Sequence, residues 1–221
     1  MDENVFEDCI FCEIAHTGEE KLPEYNQPII QTADFFVIPA LGQFIEGYVL
    51  ICPKKHFLNL GLMGPELFDR FIRIKEMVCT LLREEYGSHT VFFEHGPASH
   101  INRGGSCVEH AHLHAFPADM TKPPPWITES LEGGKIENIN TVVDYARAGK
   151  PYFYLECSDG SMFLYNALLL PCQFGRKVFA SKLGIPKKWD WRRFPYLEKM
   201  IETRCRLKNR IEKNHEIPPV K

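Results

Sequence analysis

An α+β fold is predicted by three observations. Apolar runs with strand character stand at residues 34–38, 48–52, 90–94 and 110–116. One long segment of helical periodicity, residues 65–86, interrupts them. The order strand, strand, helix, strand, loop, strand describes an antiparallel sheet carrying one helix. With 221 residues, 44% hydrophobic and 12% aromatic, the chain is long enough for one well-cored domain with a substantial appendage.

Taken in order, Asp34-Phe35-Phe36-Val37-Ile38 is a strand stopped by Pro39. After a turn at Glu46-Gly47, Tyr48-Val49-Leu50-Ile51-Cys52 is a second, ended by Pro53. Leu67, Phe71, Ile74, Val78 and Leu81 recur at helical spacing between Gly64-Pro65 and Gly87, which sets the helix at 65 to 86. Thr90–Glu94 returns to strand, and a glycine-punctuated loop, His95 to Gly105, leads into His110–Phe116. Thr121-Lys122-Pro123-Pro124-Pro125 divides residues 1–122 from an extension, 123–221. In the extension, Tyr152–Leu155 and Met162–Tyr165 flank Ser158-Asp159-Gly160-Ser161 as a hairpin, and 172 to 183 is helical up to Gly184. Phe194 to Lys213 is a basic amphipathic helix, a solvated face over a stripe of Leu197, Met200, Ile201 and Leu207.

A formal charge of -3, without blocks of like charge, argues against a nucleic-acid groove or a membrane-surface helix, and no apolar run approaches a membrane span. The acidic start Met1-Asp2-Glu3-Asn4 lacks a secretory n-region, so a cytoplasmic protein is expected. Of eight cysteines, Cys52, Cys79, Cys157, Cys172 and Cys205 fall in apolar periodic segments and read as free, small hydrophobes. Only Cys9 and Cys12 form a pair with a motif.

His110-Ala111-His112-Leu113-His114 carries the chemistry. Period two is strand geometry, so the three imidazoles share one face while Ala111, Leu113 and Ala115 turn to the other. Such a row can bind a metal, supply a nucleophile, or do both; the plain alternative is polar residues on a wet face. Cys9-Ile10-Phe11-Cys12 is a redox pair, a zinc half-site or chance, and its context does not clearly offer the strand and helix of a thioredoxin-like pair. Tetrahedral zinc needs two further ligands, for which His56 and His110 are candidates; for His56 a surface role is the alternative. The four together make a closed, structural site.

His110-Ala-His112-Leu-His114-Ala-Phe116 resembles the histidine-triad signature of the HIT superfamily of nucleotide hydrolases and transferases. Cys9-Ile-Phe-Cys12, the segment Gly47–His56, and Gly104-Gly105-Ser106-Cys107-Val108 resemble that family's other landmarks in the same order, over residues 9 to about 117. The resemblance implies an antiparallel sheet of about five strands, structural zinc on Cys9, Cys12, His56 and His110, and commonly a homodimer. It makes His112 the nucleophile at the α-phosphate of a nucleotide and sets His114 on the phosphate oxygens, passing a proton to the leaving group. Gly105, Ser106 and Cys107 fall where the family cradles phosphate, and Phe11 and Ile14 where it packs the base, with core packing the plain reading for the last two.

Three departures stand out. His95 replaces the family's asparagine, Ser106 and Cys107 replace its Gln and Ser, and Ile38-Pro39-Ala40-Leu41-Gly42 lacks its ribose-binding aspartate. The long loop resembles the nucleotidyltransferase and phosphorylase branches, but those end the triad in glutamine, so His114 favours water as acceptor. A nucleotidyl hydrolase is the expected function, with nucleotidyl transfer to phosphate or a sugar phosphate, or non-catalytic nucleotide binding, as alternatives. Trp189, Trp191, Arg192 and Arg193 are further residues that could reach an anion, turn packing and surface charge being their plainer roles.

Overall fold

The computed structural model of the chain describes residues 9–214; Met1–Asn4, with its missing n-region, lies outside them. Six α-helices and eight strands follow one another among the described residues. They are α1 Ile10–His16, β1 Ile30–Gln31, β2 Phe35–Pro39, β3 Val49–Pro53, α2 Pro65–Tyr86, β4 Thr90–Gly96 and β5 Leu113–Pro117, then α3 Pro125–Ser130, β6 Gly133–Ile136, α4 Asn140–Arg147, β7 Tyr152–Glu156, β8 Met162–Asn166, α5 Phe174–Lys182 and α6 Leu197–Lys213. All eight strands form one antiparallel sheet in the order β1-β2-β3-β5-β4-β7-β8-β6. The fold is α+β.

Both faces of the sheet are buried at β2, β3, β5, β4 and β7, which explains why β2 and β3 read as unbroken apolar runs. Phe36, Phe93, Phe116 and Phe153 pack on one side with Phe11 and Ile14 of α1 and Phe174 and Phe179 of α5. Phe35, Val37, Ile51 and Phe92 pack on the other against Phe71, Ile74, Val78 and Leu81 of α2. That helix spans the predicted residues: Pro65 opens it, and Gly87, at φ 68°, closes it with its N–H on the Arg83 carbonyl at 2.9 Å.

Several local expectations change. The histidine segment becomes strand only at Leu113, because continuing the register would set Ala111 opposite Pro53, which has no N–H to offer the ladder. Ala111 instead donates its N–H to the Phe57 carbonyl at 2.7 Å. Cys9 is the N-cap of α1, so the cysteine pair does open a helix, one too short to show periodicity. The last helix starts at Leu197, after Pro195 and a left-handed Tyr196 (φ 50°). Its buried side is Met200, Thr203 and Leu207 rather than the full predicted stripe, with Leu197 exposed. Its basic face is spent on intramolecular ion pairs, Arg204 and Lys208 with Glu19, and Arg206 and Arg210 with Glu85. Cys172, expected to be free, is disulfide-bonded to Cys107 across 65 residues of chain. The short elements β1, β6, α3 and α4 were not foreseen.

β7 covers the outer edge of β4 over five residue pairs, Phe92↔Glu156 to Gly96↔Tyr152. Between that pairing and α2 lies a polar network: the Tyr152 hydroxyl donates to Glu94 Oε2 at 2.6 Å, the Leu60 N–H to Glu94 Oε1 at 2.8 Å, and the Tyr154 hydroxyl to Glu156 at 2.6 Å. Lys75 caps Glu156 at 2.7 Å. Burial raises the Glu94 carboxyl from 4.5 to about 7, with the two hydrogen bonds pulling the other way.

Between those values the folded protein holds a proton that the unfolded chain has released, so stability falls as pH rises through that window. Glu94→Gln is expected to flatten that slope, a change of about 3 kcal/mol between about pH 5 and about pH 8 by urea denaturation. An unchanged slope contradicts the assignment.

Candidate functional site

Two adjoining arrangements lie at the start of β5. In the first, α1 brings Cys9 and Cys12 to His56, which follows β3, and to His110. The Sγ of Cys9 is 3.4 Å from His110 Nδ1, and the Sγ of Cys12 is 3.3 Å from His56 Nδ1 and 3.5 Å from His110 Nδ1. All four donor atoms lie within 4.8 Å of one another. Zinc bonds of roughly 2.0–2.3 Å in a tetrahedron separate ligand atoms by roughly 3.3–3.8 Å, so the donor set matches in chemistry, its three sulfur–nitrogen contacts match in spacing, and its widest pair needs to draw in by about 1 Å. His110 is oriented from behind, its Nε2–H donating to the Pro53 carbonyl at 2.8 Å. Burial first, then the neighbouring Cys9, pushes the Cys12 thiol up to about 12; sulfur so reluctant to ionise is held as thiolate only beside a cation. This group can bind a metal.

In the second, His112 and His114 line a cavity of about 300 Å³ on the α1 and α5 side of the sheet. The wall includes Phe11 and Ile14 of α1, and Gly105, Ser106 and Cys107 of the loop before β5. All the residues expected to bind substrate are thus brought to one cavity with the two histidines. Ile38–Leu41, the segment without the expected aspartate, forms another part of the wall beside Asn26. The extension closes the cavity with Gln173, Arg176, Trp191 and Met200. Of these, the sequence points to Trp191 as a residue that could reach a ligand and to Met200 only as part of a core stripe.

The histidines are buried rather than on a wet face. His112 Nδ1 faces the His110 carbonyl at 2.7 Å, so it carries the hydrogen, and Nε2 has no partner among the described residues. The His114 ring stacks on Phe93 with centroids 4.1 Å apart, and its Nδ1 meets the Tyr48 hydroxyl at 2.7 Å. The two imidazole centroids are 4.7 Å apart. Burial holds both below the ordinary 6.5, and for His114 the charges of His112, His95 and Arg176 add to that effect. Both are neutral in a neutral solution.

His95, which replaces the expected asparagine, has both nitrogens engaged. Nδ1–H donates to the Gly104 carbonyl at 3.1 Å, and Nε2 accepts the Gly175 N–H of α5 at 3.1 Å. It buttresses the loop and docks the extension. Gly105, at φ 85°, leaves no room for a side chain: a Cβ would sit 2.8 Å from His95 Nδ1. The Ser106 hydroxyl donates to the Val108 carbonyl at 2.7 Å, and the Cys107–Cys172 bond ties the loop to the turn before α5.

No family model matches the chain. It is 25% identical over 207 residues to zinc finger CCCH domain-containing protein 64 of Arabidopsis thaliana, covering 86% of this chain and 32% of that one. With zinc finger CCCH domain-containing protein 59 of Oryza sativa subsp. japonica it shares 25% over 176 residues, 72% of this chain and 27% of that one. The chain therefore spans about a third of the length of the curated relatives it matches. Its structural neighbours are histidine-triad proteins. They include a HIT family protein of Bacillus subtilis (TM-score 0.43, 21% identity, 50% of this chain and 73% of that one). A Zn-bound histidine triad protein of Mycobacterium smegmatis is another (0.40, 19%, 64% and 92%). A HIT family hydrolase of Clostridium thermocellum is a third (0.42, 20%, 54% and 97%). Among the described residues no helix is long and apolar enough to cross a membrane.

Metal analysis of the purified protein is expected to give about one zinc ion per chain, falling to near zero in Cys12→Ser, with a lower melting temperature in that variant and after chelation. A metal-free wild type that melts no lower with chelator contradicts the site.

Proposed function

We propose that the chain belongs to the histidine-triad superfamily and acts as a nucleotidyl hydrolase, cleaving at the α-phosphate of a dinucleoside polyphosphate or nucleoside phosphoramidate. The observation that carries this reading is the pair of opposed nitrogens on His112: Nδ1 is committed to the His110 carbonyl, and Nε2 is the unshared one on a ring that lines the cavity. A neutral imidazole with its lone pair so placed is a nucleophile at any pH near neutrality.

The residues have separable roles. Cys9, Cys12, His56 and His110 hold structural zinc, which when bound fixes α1 and the His110 backbone and leaves no open position for substrate. Nε2 of His112 forms the bond to phosphorus while the bond to the leaving group breaks, the electron pair departing with that group. His114 donates a hydrogen bond where charge develops on the phosphate and leaving oxygen; an amine leaving group takes the Nε2 proton of His114, and the water of the second step returns one to it. Water then attacks the same phosphorus, the P–N bond returns its pair to His112, and nucleoside 5′-monophosphate leaves, the surplus proton passing to solvent. Gly105 and the loop N–H of Cys107 cradle the phosphate, while Phe11 and Ile14, with Ile38–Leu41, wall the apolar side for the base. With no aspartate in that wall, Asn26 is the polar side chain available to a ribose.

Nucleotidyl transfer to an anionic acceptor is the second reading, favoured by one observation: the cavity continues to Arg176 and Gln173 of the extension.

A mass-spectrometric product screen over dinucleoside polyphosphates, phosphoramidates and nucleotide sugars, with and without phosphate, separates the two. Hydrolysis is expected, with nucleoside monophosphate release at least about 10³-fold slower in His112→Ala. Equal rates in wild type and variant contradict the mechanism. Acceleration by phosphate, with phosphate in the product, selects transfer.

A further inference from the structure

The hydrolase roles above use neither Tyr48 nor Arg176, although both are buried beside the triad. Tyr48, the residue before β3, is fully buried, and its hydroxyl lies 2.7 Å from His114 Nδ1. Behind it stands Arg176 of α5, 5% exposed, its guanidinium 5.3 Å from the centroids of both the Tyr48 and the Phe44 rings. Arg176 Nε donates to the Trp189 carbonyl at 2.9 Å, and Nη2 donates to the Gly42 carbonyl. Among the described residues no carboxylate pairs with it. A buried guanidinium held by two carbonyls and two aromatic rings, with no carboxylate to neutralise it, is costly and projects its charge onto Tyr48.

That field has a definite effect on the hydroxyl. Arginine has no acceptor, so the phenol oxygen turns its lone pairs toward the cation and its hydrogen away. Among the described residues the other hydrogen-bond partner that hydroxyl meets is His114 Nδ1, at 2.7 Å. A nitrogen that accepts is bare, so a neutral His114 carries its hydrogen on Nε2. We infer that Arg176, acting through Tyr48, holds His114 in the Nε2–H tautomer, opposite to His112, so that a hydrogen-bond donor and a bare nucleophile stand side by side in the cavity. Tyr48 and Arg176 are positioning residues in this scheme, and it rests on the hydrolase reading for its consequence. The titration of these groups agrees. Arg176 lowers Tyr48 against the burial that pushes it up to about 12, and it helps keep His114 uncharged, so that the tautomer matters at all.

The test is nitrogen-15 NMR of the histidine rings in the 221-residue, zinc-loaded protein, combined with steady-state kinetics on diadenosine tetraphosphate and adenosine 5′-phosphoramidate. Wild type is expected to show a bare, hydrogen-bonded Nδ1 and a protonated Nε2 on His114, with the reverse on His112. In Tyr48→Phe and Arg176→Met an Nδ1–H fraction appears on His114. In both variants kcat falls about tenfold with KM changed by no more than about twofold, and Arg176→Lys recovers part of the loss. An Nδ1–H His114 in wild type overturns the inference, even if neither variant folds. The wild-type pattern persisting in both variants also overturns it. The NMR readout needs no turnover, so a protein with the expected tautomers that hydrolyses neither probe refutes the hydrolase reading and leaves the positioning standing.

Discussion

The structure around the cavity depends on one hydrogen bond, from His112 Nδ1 to the carbonyl of His110 at 2.7 Å. It joins the two arrangements of the site within three residues of chain. His110 presents its ring to the sulfurs of α1, while its backbone carbonyl engages Nδ1 of His112 and leaves Nε2 without a partner among the described residues. The missing ladder bond at Pro53 is part of the same design. Because β5 starts only at Leu113, the backbone at His110–His112 is released from the sheet and re-anchored at Phe57, close to His56. A metal at the four-residue set would immobilise His110 directly and, through His56, the neighbourhood of the Phe57 anchor, and with them the backbone that carries His112.

The extension is part of the site rather than an addition beside it. β7 continues the sheet beyond β4, and Glu94 and Tyr152 meet in a buried hydrogen bond across that seam. On the cavity side, α5 approaches closely enough for Gly175 to donate to His95 and for Arg176 to stand over Tyr48. The His95 exchange and the extension therefore explain one another: the imidazole spans the gap between the loop and α5 with one nitrogen to each.

Much of this was legible in the sequence where the signal is periodic or compositional. The 65–86 helix announced itself by five apolar positions and its Gly-Pro and Gly boundaries, and the hairpin by its Ser-Asp-Gly-Ser turn. Of the metal set, the cysteine pair was legible by its ligand spacing, whereas His56 stood open between ligand and surface residue until the family resemblance named it. What escaped detection lacked such signals. α1 has seven residues and β1 two, too few for periodicity. Cys107 and Cys172 lie in segments that read as phosphate loop and helix start, with no local sign that they meet. Arg176 is one cation on an amphipathic helix, and its burial against Phe44 and Tyr48 is a tertiary fact. Asn26 sits in a short turn with no motif.

The covalent step on His112 is the central claim, and the stereochemical course at phosphorus tests it most directly. With a substrate chiral at the α-phosphorus through sulfur substitution, hydrolysed in oxygen-18 water, two successive in-line displacements give net retention of configuration. Retention is the predicted result. Inversion means that water attacks phosphorus in a single step, and it would contradict the account.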